Sequence, residues 1–87
     1  MKVLAIDNIV RREMPIHYRR NFTGNALLQL PGDRERPCRI EFTLEHGPTG
    51  QVEVQLQFLE LPDYPLVPVM KAVKAHIASL DRKGALP

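Results

Sequence analysis

This 87-residue chain has no tryptophan, a single cysteine, and only two tyrosines and three phenylalanines as aromatics. One cysteine, Cys38, excludes an internal disulfide framework and any zinc site built on cysteines. Long apolar runs are missing too. The start, Met1-Lys2-Val3-Leu4-Ala5-Ile6-Asp7, reaches a carboxylate after four apolar residues, too few for the core of a signal peptide, and no later stretch could span a bilayer. Asn21-Phe22-Thr23 matches a glycosylation sequon, which without a secretory signal reads as coincidence. The expected location is therefore cytoplasmic. No catalytic, nucleotide or metal motif stands out, so no cofactor, no metal and no enzymatic activity are expected.

What is present is the composition of a folded domain. Hydrophobic residues at 44% and charged residues at 25% lie outside the disorder signature. The length sets one α+β domain over residues 1–87, with a thin core that packs efficiently or borrows surface from a partner. The eight prolines fall between short apolar segments and read as punctuation.

Two segments alternate strictly. Ile40, Phe42 and Leu44 interleave with polar residues, as do Val52, Val54, Leu56 and Phe58, which predicts two half-buried antiparallel strands. A three-residue loop, Pro48-Thr49-Gly50, suits a type I turn closed by a left-handed glycine. That register pairs Ile40 with Phe58, Phe42 with Leu56 and Leu44 with Val54. It also sets Glu45 against Glu53, at a cost of about 0.5 kcal/mol. A shift by two residues would relieve the repulsion but put Thr49 in the left-handed position.

Upstream, Val3 to Val10 predicts a strand that Arg11, Arg12 and Glu13 extend. Phe22 to Leu30 predicts another, with a bulge at Gly24-Asn25. Pro31-Gly32-Asp33 reads as a turn, Arg34 to Pro37 as a charged loop, and residues 14–21 as a connection of undefined conformation. Near the C-terminus the period changes: Leu66, Met70, Val73, Ile77 and Leu80, widened by Val69, predict an amphipathic helix. Pro68 places its start near Val67 or Pro68, and Gly84 ends it. The order ββββα then gives a two-layer antiparallel four-stranded meander with the helix on one face. One helix covers four strands poorly, which leaves apolar surface or a sheet edge for a partner.

Candidate site residues follow from charge and parity. Seven of the eight arginines lie before residue 44. Arg11, Arg12, Tyr18, Arg19 and Arg20 form the best candidate contact for an anionic ligand, since arginine with an exposed aromatic suits phosphate contact and base stacking. The competing reading is a solvated basic rim. His17, His46 and His76 share no metal-binding spacing, Glu45 and Glu53 lie on a wet face, and the parity of Cys38 points it into the core. Val69, Val73 and Ile77 are candidates for contact with a second copy or another chain. The leading expectation is a small non-enzymatic interaction or oligomerising module, a possible homodimer. The alternative is a single-stranded nucleic-acid-binding protein that uses the Arg/Tyr surface.

Overall fold

A computed structural model describes residues 1–15 and 17–87. Four strands, β1 (Lys2–Arg12), β2 (Arg19–Leu30), β3 (Arg34–His46) and β4 (Val52–Phe58), precede one helix, α1 (Leu66–Arg82). The strands form one antiparallel sheet in the order β1-β2-β3-β4, with the helix packed on one face. The architecture is the α+β meander that the alternating segments imply.

The β3–β4 hairpin carries the expected pairing: Ile40 opposite Phe58, Phe42 opposite Leu56 and Leu44 opposite Val54. Gly50 has φ 84°, and Gly47 N–H donates to Gln51 O across the loop base. Turn chemistry thus outweighs the Glu45–Glu53 repulsion, which persists as a cross-strand pair.

Two expectations for the first half are corrected. Residues Arg34 to Pro37 are strand, not loop: they continue β3 opposite Leu30 to Leu27. Pro31 followed by Gly32 at φ 81° meets the proline-then-positive-φ demand of a type II turn, so the hairpin closes tightly. Pro37 is tolerated in β3 because β4 ends short of it and leaves that flank without a ladder. The bulge lies in β1, not at Gly24-Asn25: β2 pairs with β3 without a break, whereas the β1–β2 register shifts between Val3 and Ala5 and between Asp7 and Val10. Gly24 is the cause on the β2 side. A Cβ there would lie 3.3 Å from Asp7 O and 3.4 Å from the side chains of Ile6 and Ile9. Its absence lets β1 close over β2 while Asn8 takes φ 51°.

The inward face of the sheet is apolar and almost dry. Phe22, Leu28, Cys38, Ile40, Phe42 and Leu44 are at most 2% exposed, and the Phe22 and Phe42 rings stack with centroids 5.1 Å apart. Such a pair adds about 1 kcal/mol beyond its buried area. Burial raises the Cys38 thiol pKa, opposed by Arg36 and reinforced by Glu60, so the cysteine is a protonated core residue.

The helix starts at Leu66, one or two residues ahead of the expected position, with Pro68 as its third residue, where its missing N–H is one of the helix's orphan donors. It ends in a Schellman motif: Gly84 has φ 67°, Gly84 N–H donates to Asp81 O, and Ala85 N–H donates to Leu80 O. The buried row also differs from the expected stripe. Val69, Val73 and Ile77, the candidate partner contacts, are fully buried against the chain's own sheet, and Leu66 is 41% exposed. Their i, i+4, i+8 spacing is the row that meets the sheet, so these three are not available to a partner.

The basic end of the sheet as candidate site

The ligand-contact residues gather where β1 ends and β2 begins. Pairing sets Arg11 opposite Phe22 and Arg12 opposite Asn21, while Arg20 faces Leu44 and Arg19 faces Glu45. Strand alternation therefore gives Arg11 and Arg20 the parity of the core face, and Arg12 and Arg19 the parity of the open face. The connection between the strands turns around this end and lets both pairs line one cleft. Arg11, Arg12, His17, Arg19 and Arg20, together with Glu13 and Met14, surround about 240 Å³. Tyr18, 53% exposed, stands in the same connection, which its carbonyl anchors by accepting His46 N–H at 2.8 Å.

The four arginines differ in their partners. Arg19 Nη2 donates to Glu45 Oε2 at 3.0 Å, and Arg20 Nη1 to Asp81 Oδ1 at 3.1 Å. Both guanidiniums keep a buried Nε–H without a partner among the described residues. Arg12 approaches Glu41 at 3.7 Å with both side chains well exposed, a pair worth little. Arg11 makes no ion pair among the described residues. The lining therefore combines two arginines held in place by carboxylates with two free to move. On the open face Asn21 joins the strands, accepting from Thr43 Oγ1 at 2.7 Å and donating from Nδ2 to Met14 Sδ.

The carboxylate partners Glu41, Glu45 and Asp81 are not legible in the sequence as parts of this end. Strand parity places Glu45 on the wet face, but its partner Arg19 becomes visible only with the β2–β3 register. Other candidates stay dispersed: His17 lies in the β1–β2 connection, His46 ends β3 exposed, and His76 is on α1. His46 does not cap the core beside Val52 as its parity implies, because the sheet ends there. Among the described residues no group of three His, Cys, Asp or Glu side chains could hold a metal ion, and no helix is long and apolar enough to cross a membrane.

With the five elements and this basic end in place, comparison with known families becomes informative. One protein-family model matches residues 1–82, from the first strand to the end of the helix. The chain belongs to that family. The match takes in every strand, the basic end and the whole of α1, so the family is defined by this fold rather than by a fragment of it. No curated protein and no solved structure matches the chain.

Proposed function

We propose that the chain is a non-enzymatic binding module that takes single-stranded nucleic acid at the basic end of its sheet. The observation that supports this reading is convergence: four arginines from two strands, with His17, line one cleft rather than scattering around the rim. Arginines fit phosphate oxygens as bidentate donors, and Arg11 and Arg12 are free to turn toward them. Tyr18 offers a ring face beside the cleft for one base. Sequence-specific readout is not part of the proposal, because contacts to phosphate position a strand without identifying it.

The test is fluorescence anisotropy with a labelled single-stranded oligonucleotide. Binding at about 50 mM salt that weakens steeply toward about 200 mM is expected. The double variant Arg11→Gln/Arg12→Gln, changed at two exposed positions, abolishes it. No binding at the lower salt, or binding that the double variant leaves unchanged, overturns the reading.

A second reading is protein binding without nucleic acid. It draws on the β4–α1 connection, where Leu61 is 69% exposed and, just inside the helix, Val67 is 66% exposed. Pull-down of a defined partner that Leu61→Ser and Val67→Ser release, with no oligonucleotide bound, would favour it.

A further inference from the structure

The sheet has two unpaired edges, and they are not alike. On β1, two register shifts, Lys2 and a left-handed Asn8 break up the row of main-chain groups. These are devices that discourage another strand from adding. The other edge has none of them. β4 pairs with β3 without interruption and contains no proline, no lysine and no inward-pointing charge.

Its apolar row is also incompletely covered. Inward residues of β2 and β3 such as Leu28, Ile40 and Leu44 are fully buried, yet Val54, Leu56 and Phe58 are only half-buried and Val52 is 39% exposed. In coverage and regularity β4 resembles an internal strand that lacks its neighbour.

The outward main-chain groups can be identified from the two ends of the β3–β4 ladder. Gly47 N–H donates to Gln51 O at 2.7 Å, and Leu59 N–H donates to Arg39 O at 2.8 Å. Antiparallel ladders bond every second pair. Glu53, Gln55 and Gln57 therefore direct their main-chain groups toward β3, and Val52, Val54, Leu56 and Phe58 direct theirs away from the sheet.

We propose that this edge is a homodimer interface, in which β4 pairs antiparallel with the same strand of a second copy about a two-fold axis at Gln55. The sequence of the strand is self-complementary in that register. Val54 meets the partner's Leu56, Val52 meets the partner's Phe58, and every outward main-chain group gains a bond. Glu53 meets the partner's Gln57, so no like charges face each other. Sliding by two residues in either direction leaves one end of each strand unpaired. The dimer has an isologous interface, as a two-fold axis requires, and joins two four-stranded sheets into one.

Gln55 supplies the test because it is exposed, on the open face, and opposite its own copy at a pair without main-chain bonds. The Cα separation at such a pair is about 4.5 Å, inside the range a disulfide spans. The native Cys38 is buried and does not compete. The expected results are a dimer in sedimentation equilibrium between micromolar and millimolar protein, and a covalent dimer of Gln55→Cys on mild oxidation. Val67→Cys, exposed on the helix, is the control and should stay largely unlinked. A monomer throughout that range overturns the proposal, as does a dimer in which Val67→Cys links and Gln55→Cys does not. Neither measurement involves nucleic acid, so the outcome is independent of the oligonucleotide assay.

Discussion

Arg20 and Asp81, 61 positions apart in the chain, meet at 3.1 Å and tie the last turn of the helix to the start of β2. Both side chains are about one-fifth exposed, so the pair is neither a solvated surface contact nor a sealed one. It holds Arg20 at the wall of the basic cleft while its Nε–H stays without a partner among the described residues. Positioning a cation and docking the helix are thus combined in one contact.

Removing that contact should loosen the helix end modestly. Asp81→Asn and Arg20→Met each cost about 1 kcal/mol in urea unfolding. A double-mutant cycle should return a favourable coupling between them. Coupling of zero would mean that the two side chains are held independently.

Gly24 should tolerate nothing larger. Gly24→Ala places a Cβ against Asp7 O and the side chains of Ile6 and Ile9, at a cost of about 1–3 kcal/mol. Gly24→Val should cost more, despite its higher strand propensity. Thermal unfolding monitored by circular dichroism checks the order.

The loop register can be tested through one pair of alanines. Gly50 has a positive φ and open space around it, so Gly50→Ala should cost about 1 kcal/mol through backbone strain alone. Thr49→Ala should be nearly neutral. The reverse order would indicate the register shifted by two residues.

Stability should depend on alkaline pH through Cys38. Burial raises its folded pKa above the ordinary 9.0, so the thiol's stabilising contribution is complete below that value and is lost as pH rises from there toward the folded pKa. Cys38→Ala, although destabilised by its cavity, should lose stability less steeply than the native chain above about pH 9. Equal slopes in urea unfolding series at increasing pH would contradict this assignment.

Local rules in the sequence determined much of the fold. Alternation at Ile40–Leu44 and Val52–Phe58, the Pro48-Thr49-Gly50 loop and the Gly84 stop needed only nearest-neighbour chemistry, and each appears where that chemistry puts it. The apolar helix was legible for the same reason, as was the inward parity of Cys38.

Only the tertiary structure decided the rest. Which row of α1 faces the sheet depends on how the helix docks, so Val69, Val73 and Ile77 went to the core rather than to a partner. The irregularity around Gly24 depends on how closely the neighbouring strand approaches, and this moved the bulges into β1. Arginine composition marked residues 11–20 as basic, but their gathering into one cleft and the carboxylates that hold Arg19 and Arg20 come from pairings 26 and 61 positions apart. Contacts at such separations are set by the global arrangement of strands, and local pattern carries no record of them.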